Sequence, residues 1–271
     1  MSKLKVAYQL YSARDDVEKG MLPVLKKLAK MGYDGVEFAG FFGHSAKEIN
    51  EMLAETKLKA ASSHVPVAEM KKDLDGVIAF HKKIGCKHIA VPYLEEAYRP
   101  GQPGFADMIR FLFEAGRKCC RQGIKLLYHN HDFEFVKVSG MYGLDFMYAS
   151  LPEKYLQTEI DTCWVKYAGV DPVSYVKQYK GRAPVLHLKD YNGVHSDTAP
   201  YALIGLDDTQ ASTESTFAFR PFGHGVQDVK ALLKAGQEAK VQWFVVEQDE
   251  SKDMPALKAA ELSLRSIREN S

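Results

Sequence analysis

Eight short β-branched or apolar runs, alternating with helical patterns across 271 residues, predict a single-domain (β/α)8 TIM barrel spanning residues 1–271. Three observations carry this reading: the number of strand-like runs, the repeated helix–glycine–strand junction that separates them, and the fact that several runs are apolar on both faces, as strands buried between a core and a layer of helices must be. The strands are expected near 5–11, 34–39, 58–63, 87–92, 124–129, 155–160, 184–188 and 242–247. A doubly wound open sheet is the alternative. It is disfavoured because no G-x-G-x-x-G follows the first strand.

The junctions follow from helical periodicity. Met21, Val24, Leu25 and Leu28 share one helical face, Gly32 stops the helix, and Val36-Glu37-Phe38 follows as a strand. The same rhythm recurs with Val77, Ile78 and Ile84 before Gly85 and His88-Ile89-Ala90-Val91, and with Phe105, Met108, Ile109 and Leu112 before Gly123 and Ile124-Lys125-Leu126-Leu127. Glycine suits the position after a helix because it lacks the Cβ that makes a left-handed backbone expensive. Ser45 and Glu48 have the spacing of a capping box. One segment breaks the rhythm: a loop at about 191–225, rich in Gly, Ser, Thr and Asp, follows the seventh strand and is expected on the catalytic face.

Composition narrows the function. Lys and Arg number 36 and Asp and Glu 35, a formal charge of +1, which does not provide the positive field of a general nucleic-acid or membrane-surface binder. No apolar run approaches the roughly 20 residues of a membrane span. The N-terminus, Met1-Ser2-Lys3-Leu4-Lys5, enters a strand directly with no apolar leader, and Cys86, Cys119, Cys120 and Cys163 have neither disulfide-framework nor zinc-knuckle spacing. A cytoplasmic protein with reduced thiols is expected, without nucleic-acid or membrane partners.

A TIM barrel collects its chemistry at the C-terminal ends of its strands. Strand two ends near Glu37 and strand three at His64. Strand five runs into Tyr128-His129-Asn130-His131-Asp132-Phe133-Glu134, and strand six ends at Asp161. Strand seven carries His187, Lys189 and Asp190, and strand eight ends at Glu247. Taken singly, His187 reads as a structural histidine, Asp161 as a helix cap, and Glu247 as the partner of Lys189. Taken together, carboxylates clustered at successive strand ends repel one another unless a cation lies between them. The oxygen and nitrogen donors suit Mn²⁺, Mg²⁺, Co²⁺, Fe²⁺ or Zn²⁺. Whether His129 or His131 faces the barrel axis stays open, because neighbouring strand residues point to opposite faces.

The segments Tyr8-Gln9-Leu10-Tyr11-Ser12, Gly35-Val36-Glu37-Phe38, Tyr128-His129-Asn130-His131 with Glu134-Phe135, Asp161-Thr162-Cys163-Trp164, His187-Leu188-Lys189-Asp190 and Val246-Glu247 resemble the sugar phosphate isomerase/epimerase family, which has the xylose-isomerase-like barrel. The resemblance covers nearly the whole chain. It implies one divalent metal, Mn²⁺ foremost, held by Glu134, Asp161, His187 and Glu247. Tyr128 stands where ketose 3-epimerases carry the first glutamate of the set, and Glu134 is its substitute.

The resemblance further implies a sugar or keto-sugar substrate, epimerised or isomerised by proton transfer beside a ketone through an enediolate. Glu134 and Glu247 are the acid and base, with His131 and Lys189 as rivals for those roles. Glu37, His64 and Arg220 bind substrate hydroxyls, and Trp164 and Phe38 either floor the pocket or pack in the core. Relatives form dimers or tetramers, which leaves a homo-oligomer open. The alternatives are an inosose-type dehydratase on the same metal site and a non-catalytic sugar-binding barrel.

Overall fold

The computed structural model describes residues 3–196 and 216–271. Eight parallel strands close into a barrel in which each strand pairs with its sequence neighbours and the last pairs with the first. They are β1 (Val6–Gln9), β2 (Gly35–Ala39), β3 (Lys59–His64), β4 (His88–Val91), β5 (Lys125–His129), β6 (Gln157–Asp161), β7 (Val185–Leu188) and β8 (Trp243–Val246). This is the single-domain TIM barrel that the periodicity predicts, with every expected strand in place. Two short antiparallel hairpins, Lys137–Val138 with Met141–Tyr142 and Asp190–Tyr191 with Phe219–Arg220, stand outside it.

Alternation along the strands sorts their side chains into two cores. Tyr8, Val36, Ile89, Val91, Leu126, Tyr128, Ile160, Leu186, Leu188, Phe244 and Val246 pack with the helices. Ala7, Ala61, Ala90, Leu127, Val185, Trp243 and Val245 form the apolar plug inside the barrel, with small alanines on β1, β3 and β4 and larger side chains on β5, β7 and β8. Two residues further along a strand lies the same face one layer higher. From the plug that step gives Gln9, His129, His187 and Glu247, so the change from apolar to ionisable is a change of layer. A register shift between Val36 and Glu37 brings Glu37 opposite Ser62 on β3.

The junctions also form as expected. Gly32 ends the helix Met21–Met31 in the left-handed region at φ 102°, and Ser45 with Glu48 closes a complete capping box. The four cysteines are free thiols, with Cys120 exposed. Among the described residues no helix is long and apolar enough to cross a membrane.

The expected long loop at 191–225 is described only at its two ends, since residues 197–215 lie outside the described residues. Its base is closed by the Asp190–Tyr191 hairpin and by Asn192, whose amide N–H donates to Ala218 O at 3.0 Å. The Asp190 carboxylate accepts backbone N–H groups from Tyr191, Gly223, Gly225, Val226 and Gln227 at 2.8–3.2 Å. A Cβ on Gly225 would run into Tyr191 O and Asp190 Oδ1, so only glycine lets the returning chain approach this closely.

Candidate metal centre

Asp161 ends β6 and begins the helix Thr162–Tyr167, and its two oxygens are used differently. Oδ1 caps the helix, accepting from Cys163 N at 2.7 Å and Trp164 N at 2.9 Å. Oδ2 is buried and has no hydrogen-bond donor among the described residues. Asn130, just past β5, clamps the same residue: its Oδ1 accepts from Asp161 N at 3.0 Å and its Nδ2 donates to Asp161 O at 3.4 Å. The ligand-grade oxygen is therefore held by a helix start on one side and an amide clamp on the other.

Around Oδ2 four groups converge. Ligand atoms of His129, Asp161, His187 and Glu247 all lie within 4.8 Å of one another. His187 Nδ1 is 3.0 Å from Glu247 Oε2, and His129 Nε2 is 3.8 Å from Asp161 Oδ2 and 3.9 Å from Glu247 Oε2. Lys189 Nζ closes one side, 2.5 Å from Asp249 Oδ2, 3.3 Å from Glu247 Oε2 and 3.7 Å from Asp161 Oδ2. The rings of Trp164 and Phe219 cover the ammonium, each centroid 5.1 Å away.

A second group, His64, His129, Glu159 and His187, lies one layer deeper and shares two imidazoles with the first. Glu159 Oε1 is 2.6 Å from His64 Nε2, 3.2 Å from His187 Nε2 and 3.4 Å from His129 Nδ1. Glu37 Oε1 is 2.8 Å from His187 Nε2 and 3.0 Å from His64 Nε2. Glu37 is itself held by Gln9 Nε2 at 2.5 Å and by the Ser62 hydroxyl.

Burial and charge act against each other throughout this cluster. Burial alone would raise the Glu37 carboxyl, but His187 and His64 hold it well below the usual range. Glu247 is likewise lowered, burial being outweighed by Lys189 and His187. For Asp161 burial prevails over Lys189 and, with Glu247 adding repulsion, pushes the carboxyl up to about 7. Burial would lower His64, but Glu37 and Glu159 carry it to about 10. His129 is held well below its ordinary value by burial and by the neighbouring His187 and His64, so it is a neutral imidazole with a lone pair to give.

The donor set fits a divalent cation. It combines two imidazoles and two carboxylates, with one carboxylate oxygen aimed inward and lacking a donor. Above it opens a cavity of about 320 Å³ whose lining includes His64, His129, His131, Lys189, Glu247 and Asp249.

The structure brings Asp161, His187 and Glu247 together but places Glu134 elsewhere. Glu134 sits in the 3-10 turn Phe133–Phe135, fully buried, with Oε1 accepting from Tyr128 OH at 2.5 Å and Oε2 from His131 N at 2.8 Å. Both oxygens are occupied, and burial pushes the carboxyl up to about 8 despite those donors. The strand-five member of the group is His129. His131 reaches the cavity from the loop, its ring stacked on Phe133 at 5.5 Å. His64 lines the cavity, whereas Glu37 is fully buried beneath it and touches His187. Arg220 lies away from the cavity lining, bonded to Asp253 Oδ2 at 3.0 Å and to Phe219 O. Phe38 packs in the strand–helix core, and Trp164 lies beneath Lys189 in an aromatic cluster with Tyr167, Tyr191, Phe217 and Phe219.

Sequence reasoning missed Glu159 and the role of Gln9. A partial signal was available: counting back two residues along β6 from Asp161 reaches Glu159 on the same face.

A closed eight-stranded barrel with ionisable groups gathered at the C-terminal strand ends defines an enzyme-type TIM barrel. The profile of the xylose isomerase-like TIM barrel family matches residues 25–270, and the chain belongs to that family. An inosose dehydratase of Clostridium botulinum is 22% identical over 248 residues, 83% of this chain and 81% of the relative. Among solved structures, a sugar phosphate isomerase/epimerase from Parabacteroides distasonis superposes with a TM-score of 0.77 at 20% identity, covering 97% of both chains. An IOLI protein with a bound zinc atom superposes at 0.71 and 14% identity over 98% of both chains. At these identities the structural matches show the fold, and the printed activities belong to those proteins.

Proposed function

We propose that the chain is a divalent-metal-dependent isomerase or epimerase that moves a proton next to the ketone of a sugar. The observation that carries this reading is the convergence of His129, Asp161, His187 and Glu247 within 4.8 Å at the floor of a cavity that also presents His131 and Lys189. His129 takes the place in the ligand set that the resemblance gave to Glu134. A divalent cation held by His129, Asp161, His187 and Glu247 would supply Lewis-acid stabilisation of negative charge on the substrate oxygen, worth about several kcal/mol.

The remaining steps fall to the chain's own side chains. His131 is held well below its ordinary value, chiefly by burial and then by Lys189, so it enters the reaction as a neutral base. His131, from the loop after β5, and Glu247, just past the end of β8, both line the cavity, which supports their use as the two proton-transfer groups. One removes the α-proton as the C–H electron pair moves to the carbonyl oxygen; the other, having taken a proton from solvent, delivers it to the opposite face as the carbonyl re-forms, and the first gives its proton back to solvent. Lys189, kept cationic by Asp249 and Glu247 against the effect of burial, offsets the negative charge of the enediolate. Tyr11 and Tyr93 in the lining supply the aromatic surface that sugar rings pack against.

A dehydratase acting on a cyclic polyol ketone is the second reading, favoured by the inosose dehydratase relative. It uses the same proton abstraction and differs in expelling the β-hydroxyl as water. Metal analysis of the purified protein, followed by deuterium exchange into a panel of keto-sugars and inososes in D₂O with Mn²⁺ or Co²⁺, tests both. Exchange with an epimer as product supports the first reading, and exchange with loss of water supports the second. Cation binding without exchange leaves a sugar-binding barrel, and no cation binding ends the proposal. His131→Ala should retain the cation and lose about 10²–10⁴-fold in exchange rate.

A further inference from the structure

A second cavity, of about 270 Å³, adjoins the one above the metal group, and Pro66, Pro92 and Tyr93 line both. Pro66 follows closely on the end of β3 at His64, and Pro92 comes directly after β4. The boundary between the cavities therefore stands on two neighbouring strand ends, and its prolines have no backbone N–H to offer a sugar hydroxyl. Tyr93 is fixed in that boundary. Its hydroxyl accepts from Arg99 Nη2, and Arg99 Nε–H donates to Leu94 O at 3.0 Å. The Tyr93 ring meets His131 edge-on with centroids 5.3 Å apart, so a group resting on Tyr93 is one side chain away from the proposed base.

The two cavities differ in chemistry. The first is lined by imidazoles, carboxylates and an ammonium. The second is walled by Val67, Ala68, Leu94, Tyr98 and Met108, and apart from tyrosine hydroxyls its only polar side chains are Lys71 and Glu95. Both of these are exposed, and Lys71 Nζ lies over the Tyr98 ring at 4.7 Å. A second sugar ring placed there would surrender hydration of its hydroxyls for few partners. An apolar ring would instead gain from leaving water against Leu94 and Met108. The walls also have a different origin. The reacting groups stand at strand ends, whereas Val67 and Ala68 begin the helix Val67–Lys83 and Leu94 lies in the loop after β4. Such connecting segments are where a rigid scaffold adds selectivity.

Resting on the proton-transfer reading above, we propose that the second cavity is a subsite for an apolar ring attached to the reacting sugar, so that the substrate is an aryl-substituted sugar ketone rather than a free keto-sugar. The ketone occupies the first cavity beside His131 and Lys189, and the substituent passes Pro66, Pro92 and Tyr93 to reach Leu94 and Met108. No bond to the substituent is made or broken; it contributes binding and holds the sugar in place.

The test compares phenyl and methyl 3-keto-β-D-glucosides on the full chain loaded with Zn²⁺. The phenyl compound should bind about 10–100-fold more tightly. It should also shift the ¹³C-methyl resonance of Met108, which the methyl compound leaves in place. Ala68→Trp, at an exposed position of the lining, should fill the second cavity and bring the phenyl compound down to the affinity of the methyl one. Equal affinities in wild type, or a phenyl preference that leaves Met108 unmoved or survives Ala68→Trp, would overturn the inference. Deuterium exchange beside the ketone, followed in the same samples, separates the subsite from the chemistry. Exchange with equal affinities keeps the proton-transfer reading and removes the subsite. A phenyl preference with a Met108 shift and no exchange keeps the subsite and removes the reaction. Binding of neither compound removes both. The Met108 readout needs no variant, so it decides the question even if Ala68→Trp fails to fold.

Discussion

Glu134→Gln separates the two places where the glutamate after strand five could act. In the structure its carboxyl is fully buried, holds Tyr128 OH and His131 N, and is raised by burial from 4.5 to about 8. A carboxyl with a raised pKa in the folded state contributes stability that is complete below pH 4.5 and is lost as pH rises through 8. A gap of that size corresponds to about 5 kcal/mol at full ionisation, an upper figure. Glutamine does not titrate and so avoids the loss, but its amide accepts from only one of the two donors, a cost of about 1–2 kcal/mol. The metal-free variant should therefore be slightly less stable than wild type at pH 5 and more stable by about 2–3 kcal/mol at pH 8. Urea unfolding at half-unit intervals between pH 5 and 8.5 measures the crossing. Parallel profiles would refute the burial argument, and loss of Co²⁺ binding in the variant would return Glu134 to the ligand set.

Asp161→Asn keeps an acceptor for the helix cap and removes the inward charge. It should unfold within about 1 kcal/mol of wild type when metal-free, yet lose cation affinity by more than about tenfold in chelator competition. Asp190→Ala leaves five backbone N–H groups without their acceptor and should cost about 3 kcal/mol in urea unfolding, with faster proteolytic cleavage inside 191–225. Leu127→Ala empties part of the apolar plug directly beneath His129 and should cost about 2–5 kcal/mol by the same measurement.

The barrel was legible because each repeat carries its own punctuation. A helical stripe, a left-handed glycine such as Gly32 and a β-branched run are local signals that need no knowledge of the partner strands. Asp161, His187 and Glu247 were legible because ionisable residues interrupt apolar runs at the strand ends. The choice between His129 and Glu134 was not, because it depends on how the Phe133–Phe135 turn directs the glutamate back onto Tyr128, a three-dimensional relation between residues six apart. Glu159 was only partly legible, for another reason. A carboxylate inside a strand ordinarily marks a solvent face, and only closure of the barrel turns that face into an interior. Arg220 sits on a short hairpin whose pairing with Asp190–Tyr191 has no sequence signature, so its engagement by Asp253 could not be foreseen.

The five-donor grip of Asp190 bears on how freely the loop it anchors can change in length. It ties Tyr191 and the stretch Gly223–Gln227 to one carboxylate, so the two described ends of the excursion after β7 are joined by bonds of their own. Doubling the length of a flexible loop adds only about 0.6 kcal/mol of closure entropy. Because Asp190 already joins those ends, changes of length between Asn192 and Ala218 should cost the staves little stability.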